Sequence, residues 1–98
     1  MSSAPNPPGA IIRVMKIVNE KGLHARASAK FVQLVEKYDA KVTVSRAGES
    51  AGGDSIMGLM MLAAGIGTSI EVSATGAQAA EVVDALDALV SGRFGEEE

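Results

Sequence analysis

Strand-like and helix-like stretches alternate along this chain with only short gaps between them, and that brevity restricts the fold more than any other property. Ile11-Ile12-Arg13-Val14-Met15-Lys16-Ile17-Val18 is rich in β-branched residues and reads as a strand. Residues 19–22 are polar, include a glycine and make the connecting loop. From Ala25 the period becomes helical. Ala27, Phe31, Leu34, Val35 and Tyr38 recur on one side while Arg26, Lys30, Gln33 and Lys37 occupy the other, predicting an amphipathic helix that ends near Asp39. Lys41-Val42-Thr43-Val44-Ser45-Arg46 then alternates with period two, Ala47-Gly48 signals a turn, and Glu49-Ser50-Ala51 suits the return arm of a hairpin.

Gly52-Gly53-Asp54 interrupts the chain again. Asp54 or Ser55 caps a second, short helix through Ile56, Leu59, Met60, Leu62 and Ala63, with Gly65 and Gly67 at its end. Residues 68–74 show the cleanest alternation, with Ile70, Val72 and Ala74 directed inward. A last helix sets Ala79, Val82, Val83, Leu86, Leu89 and Val90 on one stripe, and Gly92 is its natural stop.

The order β-α-β-β-α-β-α leaves no connection long enough for a large parallel sheet, and alternating strands need one covered face. The prediction is an α/β (α+β) fold, an open-faced β-sandwich: a four-stranded, mostly antiparallel sheet with three helices on one face. The domain occupies residues 10–92, between a Pro-rich flexible arm (1–9) and an acidic tail (93–98).

Composition narrows the possibilities. Hydrophobic residues make up 47% of the 98 positions but aromatics only 3%, so the core is aliphatic. With no cysteine there is neither a disulfide nor a thiolate metal site, which fits a reducing cytosol. The first nine residues have no basic or apolar segment of the secretory kind, and the longest apolar stretch, 56–67, is too short to span a bilayer. A cytoplasmic protein without membrane contact is expected. A net charge of −3 with three aromatic residues argues against nucleic acid as a partner.

Chemistry concentrates in Gly22-Leu23-His24-Ala25-Arg26, where a turn gives way to the first helix. His24 is the only histidine. By residue type alone, a lone histidine is often an exposed residue or a helix cap. Here Gly22 can take the positive φ of a tight approach, Leu23 is apolar where exposure is expected, and Arg26 lies one step into the helix. The first amides of a helix lack intrahelical partners and favour an anion. A phosphoryl group on the imidazole would meet those amides and a charge-assisted contact from Arg26, each such bond contributing roughly 1.5–3 kcal/mol. A metal centre fails for want of further His or Cys ligands, and no Ser or Cys nucleophile is arranged against His24. The chain also lacks a glycine-rich nucleotide phosphate loop, so the phosphate donor must be another phosphorylated molecule, above all a protein.

The second helix has more apolar residues than one buried face requires. Ser55, Leu59, Leu62 and Ala63 suffice to meet the sheet, which leaves Ile56, Met57 and Met60 on a neighbouring face. Either the helix is wedged in with both faces half buried, or this face is a docking patch whose methionines suit several partners. Ser55 also sits where a phosphate would be tolerated at a helix start while adding about two negative charges beside that patch.

These residues resemble the histidine-containing phosphocarrier family HPr of the bacterial phosphotransferase system. The likeness covers Ile11 to about Gly92 and rests on Gly22-Leu23-His24-Ala25-Arg26, on Ser55-Ile56-Met57-Gly58-Leu59-Met60, and on the element order. The resemblance implies a phosphoryl carrier, not an independent enzyme, that needs no cofactor. Phosphorylated enzyme I, charged from phosphoenolpyruvate, would load His24 on Nδ1, and a histidine of an enzyme IIA protein would receive the group. Arg26 matches the phosphate-stabilising arginine. Ser55 matches the regulatory serine of an HPr serine kinase/phosphorylase, and Leu23, Ala27, Ile56, Met57 and Met60 match partner-contact positions. A carrier that must show one site to successive partners is expected to act as a monomer.

Departures from the family pattern are specific. Ala27 stands where proline is common, which costs some pre-organisation of the helix start. Asp54 precedes Ser55 where serine-regulated members carry lysine. Gln33 and Glu36 make the outer face of the first helix less basic. Ala27 and the ending Val90-Ser91-Gly92-Arg93-Phe94 with its acidic tail are similar to the nitrogen-related branch, whose relay regulates physiology. Two other readings stand beside the carrier: a docking-only regulatory module controlled at Ser55, and a small-molecule-binding domain, for which no convergent polar pocket is visible in the sequence.

Overall fold

The structure, a computed structural model, describes residues 9–96. Its elements are β1 (Ile11–Lys16), α1 (Ala25–Val35), β2 (Lys41–Arg46), β3 (Glu49–Gly52), α2 (Ile56–Met61), β4 (Ser69–Thr75) and α3 (Ala79–Ser91), followed by a 3-10 turn at Arg93–Gly95. The strands form one sheet in the order β1-β4-β2-β3, and all three pairings are antiparallel. β4, the strand with the strictest alternation, is central. Met15 stands opposite Ile70, Val44 opposite Val72, and Val42 opposite Ala74, so these side chains form one apolar face. Val82, Val83, Leu86 and Val90 of α3 and Ala27, Phe31, Val32 and Val35 of α1 close over it. Thr43, Ser45, Ser69 and Glu71 line the opposite, open face.

Local chemistry explains most element ends. The β2–β3 hairpin turns through Ala47 and Gly48, both with positive φ (52° and 83°), as a tight two-residue hairpin requires. Ser55 caps α2, its Oγ accepting the Gly58 N–H at 3.0 Å. Arg13, on the helix side of edge strand β1, reaches α3 with its Nη1 at 2.9 Å from Asp84 and 3.1 Å from Asp87. These groups are largely exposed and screened by solvent, so the cluster helps orient α3 and adds little to stability.

Several boundaries differ from those read in the sequence. α1 stops at Val35, because Lys37 and Tyr38 bond three residues back and tighten the chain into turns. Val32 and Ser28 join its buried side, whereas Leu34 and Tyr38 are only half-buried. α2 ends at Met61, ahead of Gly65 and Gly67, and Ala63 takes φ 53° and faces solvent. The expected flexible arm falls mostly on residues 1–8, and the last two glutamates on 97–98, both outside the described residues.

Packing also continues beyond Gly92. Arg93 and Phe94 adopt φ 59° and 56°, left-handed values that cost non-glycine residues about 1 kcal/mol or more each. This bend drives the Phe94 ring fully into the core, and Lys30 Nζ donates to the Phe94 carbonyl at 2.5 Å. A large aromatic ring buried at the end of the chain offsets the backbone cost. Replacing Phe94 with alanine is expected to lower stability by about 3–5 kcal/mol in urea denaturation. A loss below about 1 kcal/mol would mean that the ring does not pack there.

Candidate functional site

The site is built on Leu23. Its side chain is in the core, its N–H donates to the Ala64 carbonyl at 2.9 Å, and its own carbonyl accepts the Ser28 hydroxyl at 3.1 Å. The residue before His24 is therefore fixed through side chain and both backbone groups. Gly22 makes the approach possible. It has φ 63°, and a Cβ there would lie 2.3 Å from the Ala64 oxygen. Asn19 braces the same loop, its Nδ2 donating to the Gly22 carbonyl at 2.9 Å while its backbone carbonyl accepts the Gly22 N–H at 3.2 Å.

His24 is the N-cap of α1, with extended backbone (φ −72°, ψ −177°). The first helical bond runs from the Ser28 N–H to the His24 carbonyl at 2.8 Å, so the amides of residues 25–27 lie at the open end of the helix. One of them, the Arg26 N–H, donates to His24 Nδ1 at 3.3 Å. The opposite ring nitrogen, Nε2, lies 2.5 Å from Glu96 Oε2. Together these bonds assign the neutral tautomer. Nδ1 accepts and so carries a lone pair, while Nε2 carries the proton and donates it to the carboxylate. The imidazole is about one quarter exposed.

Glu96 is held from a second side, its Oε1 accepting from Asn19 Nδ2 at 3.2 Å. The hydrogen bond from His24 is the main reason its carboxyl lies below the ordinary carboxylate range. Partial burial opposes that shift, whereas the Asn19 bond and the nearby Lys21 reinforce it. This contact was not legible in the sequence, where residues 93–98 read only as an acidic tail. An aromatic residue two positions upstream, Phe94, was the one available signal.

The predicted site residues divide into two groups. Arg26 is exposed, and its guanidinium pairs with no carboxylate among the described residues. Ser55 is half-buried at the start of α2. Ile56 (41% exposed), Met57 (69%) and Met60 (39%) face solvent, which removes the wedged-helix alternative. Met61 and Ile66 extend this apolar surface. The i, i+4 spacing from Met57 would have found Met61. Leu23 and Ala27, by contrast, are buried (4% and 0% exposed) and offer no side-chain surface to a partner. Their apolarity serves the anchoring of the loop and of α1. α1 packs on α2, and Leu23, the residue before His24, bonds to Ala64 just beyond α2. Among the described residues no three His, Cys, Asp or Glu side chains cluster as a metal site, and no helix is long and apolar enough to cross a membrane.

Comparison with known proteins places these features in a family. The family model described as the PTS HPr component phosphorylation site matches residues 11–92. The phosphocarrier protein HPr of Cupriavidus necator is 50% identical over 82 residues, covering 84% of this chain and 92% of that protein. The phosphocarrier protein NPr of Shewanella violacea is 38% identical over 84 residues, covering 86% and 92%. Among solved structures, HPr from Thermoanaerobacter tengcongensis superposes with a TM-score of 0.85 at 35% identity, covering 90% of this chain and 99% of that one.

The lowered Glu96 carboxyl gives the site a pH dependence of definite sign. Its contribution to stability is complete above its ordinary value of 4.5 and is lost as pH falls through the lower folded-state value. Denaturation of the parent chain and of Glu96→Gln between pH 3 and 7 should therefore show a stability difference that closes only at the acid end. A difference independent of pH would contradict the contact.

Proposed function

The chain belongs to the HPr family of phosphocarriers of the phosphotransferase system, and within that role we propose that His24 is the residue that carries the phosphoryl group. The observation that carries this reading is the single histidine at the start of α1 with Nδ1 unprotonated and turned to the helix amides. The donor is phosphorylated enzyme I. The Nδ1 lone pair releases the Arg26 N–H and attacks phosphorus, the bond from phosphorus to the donor breaks, and its electron pair stays with the donor. No proton has to leave Nδ1 first. The three equatorial oxygens then meet the amides at the helix start, while the exposed guanidinium of Arg26 supplies a charge-assisted contact.

Moderate stabilisation suits a carrier. The site is partly exposed, so the phosphoryl group is held without being trapped, and a histidine of an enzyme IIA protein receives it by the reverse displacement. Ile56, Met57 and Met60 form the docking surface for both partners. The NPr relative supports a place for this chain in nitrogen-related signalling. Function in the cytoplasm as a monomer, within a folded domain of residues 10–92, belongs to the same reading.

Ser55 adds a regulatory layer to the proposal, supported by its capping position directly beside the docking residues. Phosphorylation there by a serine kinase would keep an acceptor at the helix start and add about two negative charges next to an apolar surface. Docking of an acidic partner weakens in consequence. Asp54 already brings one negative charge to this corner, so the modified form is repelled all the more.

Incubation with enzyme I and phosphoenolpyruvate should give one acid-labile phosphate, absent from His24→Ala. Persistence of that phosphate in the variant would refute the site. Arg26→Ala should retain the phosphate but slow its acquisition about tenfold, as expected for the loss of one charge-assisted bond. Separately, Ser55→Asp should reduce affinity for enzyme I about tenfold with the fold intact, read by calorimetry. Regulation that survives in His24→Ala and depends on Ser55 alone would favour the docking-only module instead.

A further inference from the structure

The interaction that the carrier reading leaves unused is the carboxylate at Nε2. We propose that Glu96, held by Asn19, is a positioning residue that keeps His24 in the tautomer and orientation needed for phosphoryl transfer. This inference deepens the proposed function and rests on His24 being the acceptor.

Three observations converge. First, Glu96 has a defined place. Phe94 is fully buried, the Phe94 carbonyl accepts from Lys30, and the Glu96 N–H donates to the Arg93 carbonyl at 3.0 Å. The backbone is thus tied on either side of Gly95, and the carboxylate is delivered to the ring by packed chain. Second, the Asn19 side chain is oriented for this purpose. It is fully buried, and its Nδ2 serves both the Gly22 carbonyl and Glu96, while its Oδ1 has no hydrogen-bond partner among the described residues. Flipping the amide would set an oxygen against both the carboxylate and the carbonyl, so the unpaired Oδ1 is the cost of donating to Glu96. Third, the two ring nitrogens diverge. Glu96 occupies the Nε2 edge, whereas the Nδ1 lone pair faces the helix start and is engaged only by the long bond from the Arg26 N–H at 3.3 Å.

The chemistry follows from this geometry. A proton on Nε2 leaves Nδ1 with the lone pair that forms the new bond to phosphorus. As the bond from phosphorus to the donor breaks, positive charge develops on the ring, and the Glu96 carboxylate lies against the N–H that bears it. On the return step the acceptor attacks phosphorus, the Nδ1–phosphorus bond breaks, and its electron pair goes back to Nδ1. Nε2 keeps its proton throughout. An imidazole oriented by a carboxylate follows the same logic as the histidine of a hydrolase triad, with the imidazole itself as the nucleophile.

The test uses the full chain with labelled histidine, comparing the parent with Glu96→Gln and Glu96→Ala. Nitrogen NMR of the neutral imidazole reports the tautomer, and rapid-quench phosphorylation by phosphorylated enzyme I separates kcat from KM. Glu96→Ala should shift both ring nitrogen signals toward a mixture of tautomers and lower kcat about tenfold, with KM within about twofold. Glu96→Gln, which keeps a neutral acceptor, should fall between it and the parent. Unmoved nitrogen signals, a change confined to KM, or faster phosphorylation would each overturn the proposal, the last by marking Glu96 as a cover over the ring. A parent chain that takes no phosphate would instead sink the carrier reading. The nitrogen signals, recorded before any phosphate is added, then judge the Glu96 contact by themselves.

Discussion

The fixing of Leu23 governs the rest of the site. A buried side chain holds it to the core, one backbone bond ties it to the segment leaving α2, and another ties it to the first turn of α1. The backbone of His24 follows from that anchor, because the next residue has little freedom left, and Glu96 then holds the ring. The imidazole is consequently a feature of the rigid scaffold, although it lies at the surface. A reacting group placed in this way does not lose the same orientational freedom again at each transfer. Gly22 is inseparable from the arrangement, since any side chain there would collide with the very carbonyl that Leu23 uses.

The same anchor links His24 to the segment that follows α2, whose exposed apolar face is the proposed docking surface. The Ala64 carbonyl that accepts from Leu23 belongs to the stretch directly after α2, so under the proposed function a partner seated on the exposed methionines would meet the imidazole in a fixed relative position. Burial of Leu23 and Ala27 makes this coupling stiff. Flexible methionines, on the other side, let one surface serve partners of different shape. A phosphocarrier needs both properties: a reacting nitrogen that does not wander, and a contact face that adapts.

Much of this was legible in the sequence because the physical signals were local. Alternation placed Ile70, Val72 and Ala74 inward, the turn at Ala47-Gly48 gave the hairpin, and Asp54 or Ser55 announced a cap that Ser55 supplies. The position of His24 at the start of α1 followed from the change of period at Ala25. What escaped were contacts between residues far apart in the chain. Phe94 looked like part of a tail, because its burial depends on two consecutive left-handed residues that no propensity foretells. With Phe94 unplaced, nothing could bring Glu96 to His24 across 72 positions. Leu23 was misjudged for a related reason: it lies in a loop, and only the carbonyl of Ala64 shows that the loop is folded onto the core. The ion pairs of Arg13 with Asp84 and Asp87 escaped likewise, since they join the first strand to the last helix.

The central claim is that the ring nitrogen facing the start of α1 is the atom that takes the phosphoryl group. Long-range proton–nitrogen correlation of the phosphorylated, histidine-labelled chain, recorded with phosphorus coupling, identifies the substituted nitrogen directly. The account predicts the bond to phosphorus at Nδ1, with a proton retained at Nε2. Phosphorus on Nε2, or on any residue other than His24, would contradict it.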